Sequence, residues 1–230
     1  MGKKHLKRLV APRTWKIERK TTKFITRSNP GAHSFELGMP LNLIFKDLLN
    51  YCKTSKEVRS ILQDKEILVD GRRRKEPKFV IGFMDVLSIP VTKEDFRVMF
   101  DKKGKLTLIK IKKNEADLKI SKIIGKKTLG ENKTQLNLSD GRNILVKEDK
   151  SRVSDSLLIK IPEQEIKDTI KLEKGAIVVL VGGKHIGLNG EVEEIKDNVI
   201  TVKIGDERIR TKKDYAFAVG NKEPLISLSD

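Results

Sequence analysis

The chain has 230 residues, 37% of them apolar and 35% charged, with a formal net charge of +17. That apolar content excludes a wholly disordered chain, and no run reaches the roughly 18 apolar residues of a membrane helix. A single cysteine excludes an intrachain disulfide framework and fits an intracellular address.

The charge is unevenly placed. Residues 1–35 hold ten cationic side chains and one anionic, whereas residues 171–230 hold ten of each. A polyanionic partner is the natural reading, because each phosphate neutralised by Lys or Arg releases condensed counterions. A membrane partner does not fit, since the basic segment has no amphipathic apolar stripe. Nor is a secretory signal expected, because no apolar stretch follows the basic start.

Residues 1–35 read as an extended basic arm, interrupted by Pro12 and Asn29-Pro30-Gly31 and punctuated by Trp15, Phe24 and Phe35. Arms of this kind often order on meeting RNA. Two readings of Trp15 and Phe24 stand: stacking on bases, or packing on the folded body.

Two helices are expected over 40–63. Leu41, Ile44, Phe45, Leu48 and Leu49 keep one apolar face after Pro40, which suits a first helical position. Thr54 and Glu57 have capping-box spacing for the second helix. Its stripe is Val58, Ile61 and Leu62, with Lys56, Arg59 and Gln63 on the other side. Strands follow around Ile67–Val69 and Phe79–Phe83, joined through the turn Asp70-Gly71 and the run Arg72-Arg73-Arg74-Lys75. Four adjacent cations repel one another, and a bound phosphate relieves that repulsion.

Residues 95–170 read as short strands, with Asp140-Gly141 marking a hairpin between Leu136/Leu138 and Ile144/Val146. The last unit carries the apolar run Ile177–Val181 and then four glycines in nine residues, Gly182, Gly183, Gly187 and Gly190. Strands around Val192, Val199–Ile204 and Tyr215–Val219 follow, a pattern that suits a small β barrel.

Tests for catalysis fail. A zinc site needs about four close Cys or His ligands, and Cys52, His5, His33 and His185 are scattered. Gly125-Lys126-Lys127-Thr128 lacks the first glycine of a phosphate-binding loop, because Ile120 stands there. No catalytic residue, metal or cofactor is expected, and the chain is not read as an enzyme.

Two stretches carry a family resemblance. Thr54–Leu62 with Ile67–Arg74 resembles the S-four-type RNA-binding module, two helices and a hairpin sharing a basic face. Val179–Val192, with Gly182-Gly183-Lys184-His185-Ile186-Gly187, looks like a KOW motif. Together with Lys3–Arg8, Pro30–Ser34 and Asp214–Gly220, the chain resembles the S-four-e (S4e) family of small-subunit ribosomal proteins, in its archaeal form, over nearly the full length.

The resemblance implies an α+β, multi-domain protein. A basic arm (1–36) precedes an S-four-type RNA-binding module (37–93), a central β-rich domain (94–172) and a KOW SH3-like barrel (173–230). It implies a structural constituent of the small ribosomal subunit, ribosome-bound in the cytoplasm, supporting translation. Its partners would be small-subunit rRNA and neighbouring ribosomal proteins, with no membrane and no homo-oligomer. The implied RNA-binding residues in the arm are Lys3, Lys4, Lys7, Arg8, Arg13, Trp15, Lys16, Arg19, Lys20, Lys23 and Arg27. Those of the module are Lys56, Arg59, Arg72, Arg73, Arg74 and Lys75, and those of the KOW loop are Lys184 and His185. The alternatives are an RNA-binding translation or transcription factor, or an RNA-modification enzyme with an appended RNA-binding module. A pseudouridine synthase, one example of the latter, carries its catalytic aspartate in an Arg-Leu-Asp context, and the chain lacks that tripeptide.

Overall fold

A computed structural model describes residues 5–129, 133–147, 150–221 and 223–228. The chain divides into two units, residues 1–99 with 105–116, and residues 100–104 with 117–230. Strands predominate over helices in both.

In the first unit, β1 (Leu6–Lys7) pairs antiparallel with β2 (Phe24–Ile25), and β3 (Gly38–Pro40) pairs with β6 (Val80–Gly82). A five-stranded sheet has the order β5-β4-β7-β8-β9, from β4 (Leu68–Val69), β5 (Arg72–Arg73), β7 (Val86–Ile89), β8 (Glu94–Phe100) and β9 (Leu106–Ile111). The sheet therefore runs past residue 93 through two further strands.

Pro40 closes β3 and stands just before the helix instead of inside it. The first helix is short: α1 (Leu41–Leu43) widens into a π turn over Ile44–Leu48. Leu49 N–H donates to the Ile44 carbonyl at 2.9 Å, and Asn50 adopts a left-handed conformation (φ 55°) that ends the helix. Helix α2 (Ser55–Asp64) follows the expected pattern. The Thr54 hydroxyl accepts from Glu57 N–H while the Glu57 carboxylate accepts from Thr54 N–H. The Lys53 N–H, followed by the Thr54 hydroxyl and N–H, donates to the Glu57 carboxylate and holds that carboxyl below its ordinary range. Val58 and Leu62 are fully buried against α1 and its π turn. A last short helix, α3 (Lys113–Ala116), supplies Glu115, whose carboxylate lies 3.3 Å from the fully buried Arg97.

The expected extended arm is instead packed on this unit. Leu6, Ala11 and Trp15 are buried. Trp15 Nε1–H donates to the Gly38 carbonyl at 2.8 Å, and Leu106 N–H donates to the Thr14 carbonyl at 2.7 Å. The few apolar residues of a charged segment suffice, because a single buried indole removes a large apolar area from water.

In the second unit, one five-stranded sheet has the order β12-β11-β10-β13-β14. Its strands are β10 (Leu118–Leu129), β11 (Lys133–Leu138), β12 (Asn143–Val146), β13 (Ser156–Lys160) and β14 (Glu165–Ile170). Ile123, Leu136, Leu138, Leu157 and Ile159 form its core. The β11–β12 hairpin turns at Asp140-Gly141, as expected, with Gly141 at φ 76°. Strand β10 is longer than the short strands expected over 95–170, and its sequence hides the apolar alternation because Lys119, Ser121 and Lys122 are buried beside Ile120 and Ile123. Asp140 explains two of them: Lys119 Nζ lies 3.1 Å from its carboxylate, and the Ser121 hydroxyl donates to it at 3.0 Å.

The other sheet has the order β18-β17-β16-β15-β19. It comprises β15 (Ile177–Leu180), β16 (Asn189–Lys196), β17 (Val199–Ile204), β18 (Glu207–Lys212) and β19 (Ala216–Gly220). All of β19 is buried, and it also packs against β10, β13 and β14. The buried Lys122 ammonium donates to the Asp214 and Ala216 carbonyls, each at 2.8 Å, and to Lys213 at 3.3 Å.

Candidate nucleic-acid interface

The capped helix α2 sets the geometry of the basic surface. With Val58 and Leu62 turned inward, helical spacing turns Lys56 and Arg59 outward, and both are exposed. Neither closes a hydrogen bond or ion pair with another described residue.

The β4–β5 hairpin lies at the end of the same helix. Asp70 (φ 50°) and Gly71 (φ 71°) both take positive φ, the conformation of a tight two-residue hairpin turn. The buried Asp70 carboxylate accepts from Val86 N–H at 2.9 Å, which fixes the turn on β7. The register places Arg73 opposite Leu68 and Arg72 opposite Val69.

The four cations of this run have different environments. Arg73 Nη2–H donates to the Gln63 carbonyl at 2.9 Å, satisfying one of the acceptors left at the carboxyl end of α2. The Arg74 guanidinium lies 4.3 Å from the centre of the Phe79 ring, a cation–π contact that commits it partly to the fold. The side chains of Arg72 and Lys75 are exposed and close no hydrogen bond or ion pair with the described residues. Tertiary structure therefore brings Lys56, Arg59, Arg72 and Lys75 to one small helix-hairpin element as exposed cations without an ion pair among the described residues.

The arm divides in the same way. Lys7, Arg13, Lys16, Lys20 and Lys23 are exposed. Arg8 and Trp15 are corrections to the expected interface. Arg8 is 6% exposed and Trp15 1% exposed, so both side chains are packed into the fold and not displayed on its surface. Arg8 Nη2 pairs with Asp47 at 2.6 Å, and its Nε–H donates to the Glu18 carbonyl. Trp15 follows the packing alternative. Arg19 caps the Ala11 and Pro12 carbonyls at 2.9 and 2.8 Å, and Arg27 sits 6.0 Å over the Phe35 ring. Lys3 and Lys4 lie outside the described residues.

In the glycine-rich loop between β15 and β16, Lys184 is exposed and His185 half-buried. The glycines themselves answer to internal packing. A Cβ on Gly182 would fall 2.5 Å from the Tyr215 ring, and one on Gly187 (φ 86°) 2.0 Å from the Asp101 carbonyl oxygen. Net-charge counting also hid a strip on β18. Its register turns Ile209 inward and Arg208, Arg210 and Lys212 outward. Arg208 pairs with Glu193 at 3.0 Å, while Arg210 and Lys212 close no ion pair among the described residues. The sequence signal for this strip is cations at every second position, alternating with one apolar residue.

No group of three or more His, Cys, Asp or Glu among the described residues could hold a metal ion. Cys52 is buried, and that burial, with Glu57 nearby, raises its thiol pKa. No described helix is long and apolar enough to cross a membrane.

Comparison with known proteins identifies the family. The model of the ribosomal family S4e matches residues 92–166, and that of the RS4NT (NUC023) domain matches residues 1–36. The small ribosomal subunit protein eS4 of Methanocaldococcus jannaschii is 44% identical over 98% of both chains. That of Methanosphaera stadtmanae is 41% identical over 99% of this chain and 96% of its own. The crystal structure of the 30S ribosomal protein S4e from Thermoplasma acidophilum superposes with a TM-score of 0.71 at 30% identity, covering 80% of this chain and 96% of that one. With relatives this similar along almost its whole length, the chain belongs to the ribosomal family S4e.

Proposed function

We propose that this chain is a structural constituent of the small ribosomal subunit that binds and organises its rRNA, without catalytic activity, in the ribosomes of the cytoplasm. The observation that carries the reading is the helix-hairpin element, where Lys56, Arg59, Arg72 and Lys75 are exposed and close no ion pair among the described residues. The fold gains nothing from concentrating these charges, whereas a phosphate backbone neutralises them and releases counterions. The names of the similar proteins, small ribosomal subunit protein eS4, support assigning that RNA to the small subunit.

Within this reading, residues 37–93 act as an S-four-type RNA-binding module, continued structurally by β8 and β9. The exposed arm cations Lys7, Arg13, Lys16, Lys20 and Lys23 add phosphate contacts. Residues 173–230 form a KOW-bearing SH3-like barrel that presents Lys184 and His185. Neighbouring ribosomal proteins complete the environment, and the chain acts as a single copy.

Sedimentation of cell extract at high salt tests the proposal. The chain is expected to stay with small subunits and to crosslink to small-subunit rRNA. Recovery in the free pool, with no rRNA crosslinks, overturns it.

A further inference from the structure

We propose that Phe24 and His5 form a stacking platform that takes one unpaired nucleobase of the bound RNA, a site distinct from the phosphate-binding cations. The inference rests on the RNA-binding reading above and deepens it.

The β1–β2 pair creates the platform. Leu6 is buried and Ile25 half-buried, so this register holds Lys7 and Phe24, a directly opposed pair, on the outer side. The Phe24 ring is 52% exposed, as are Leu9 and Val10 of the same segment at 68% and 69%, whereas Leu6, Ala11 and Trp15 are buried. The His5 ring stands beside it, centroid to centroid 5.7 Å at 49°. The Lys23 ammonium lies 5.5 Å over the Phe24 ring.

An exposed ring beside a second ring and two lysines matches what an unpaired nucleotide presents. Its base is a flat π surface that stacks on aromatic side chains, and its phosphate accepts from lysine. Lys23 sits on a flexible stem, so its ammonium can leave the ring for a phosphate as the base arrives. An acidic protein surface would satisfy the lysines but would not use two rings at stacking distance. A duplex would not use them either, because its bases are already stacked on one another.

The test uses the full-length protein, a short oligouridylate and an RNA duplex of matched length. Phe24→Leu keeps the apolar bulk and removes the ring. It is expected to weaken oligouridylate binding by about 5- to 100-fold while leaving duplex binding and the slope of log affinity against log salt unchanged. Phe24→Trp is expected to retain binding and to show fluorescence quenching by the oligouridylate and not by the duplex. The wild-type chain, whose single Trp15 is buried, is the control. Wild-type affinity in Phe24→Leu, or an unquenched Phe24→Trp, overturns the platform. So does equal weakening toward both RNAs, or loss of a ribosomal protein contact with RNA binding intact. Failure of the wild-type chain to bind either RNA would instead overturn the RNA-binding reading itself.

Discussion

The indole N–H of Trp15 donates to the carbonyl of Gly38 at 2.8 Å. This bond fastens the basic amino-terminal segment to the first residue of β3, 23 positions along the chain. Trp15→Ala removes a fully buried indole and leaves that carbonyl unsatisfied, so a loss of about 3–5 kcal/mol is expected. Trp15→Phe keeps most of the burial and loses the donor, at about 1–3 kcal/mol. Thermal melts measure both. Hydrogen exchange adds a local readout: the Leu106 amide, bonded to Thr14, is expected to be protected without RNA and to lose protection in Trp15→Ala.

The arginine run should separate into RNA-binding and structural members. Arg72→Ala and Lys75→Ala are each expected to reduce the salt slope of duplex binding by up to ~0.9, with stability changed by less than about 0.5 kcal/mol. Arg74→Ala forfeits its contact with Phe79 and is expected to cost about 0.5–1 kcal/mol. Equal slopes in all three variants would remove the distinction.

Strand β18 makes a charge-neutral segment locally basic. Arg210→Ala with Lys212→Ala is expected to lower the salt slope of rRNA binding, whereas Arg208→Ala, already paired with Glu193, should lower it less. Titration of the three variants at several salt concentrations decides this. No change in the double variant would show that the strip faces solvent only.

A pH effect is expected at Glu94. Its carboxylate accepts from Lys110 at 2.8 Å and from the Tyr51 hydroxyl. The hydrogen bonds from Lys110 and then Tyr51 hold its pKa down to about 2, and the Tyr51 phenol is pushed up to about 12 by the same contact. A depressed carboxylate contributes stability above its unfolded pKa of about 4.3, and this is lost as pH falls toward 2. Glu94→Gln should therefore flatten the acid limb of the stability curve between about pH 4 and 2. Ultraviolet titration should show the Tyr51 phenolate forming at lower pH in this variant than in wild type.

Much of the local structure was legible before any coordinates. The Thr54/Glu57 box, the Val58 and Leu62 stripe, the Asp70-Gly71 and Asp140-Gly141 turns and the β15 run are short-range patterns, and each specifies an element by local geometry. The location of charge was equally legible, because it is a count along the chain. The extent of strand β10 was not, since Lys119 and Ser121 face Asp140 across the sheet, and a buried polar pair reads as surface in one dimension.

The basic interface shows the same division. Sequence determined that residues 1–35 and 72–75 are cationic and that an RNA partner suits them. Only tertiary structure decided which cations are available. Arg8 finds Asp47, 39 positions away, while Lys7 beside it stays exposed. Arg73 finds the end of α2 and Arg74 finds Phe79, while the Arg72 side chain closes no ion pair among the described residues. The reason is physical: side-chain type and periodicity act over a few residues, whereas burial and pairing depend on what the folded chain brings close from far along it.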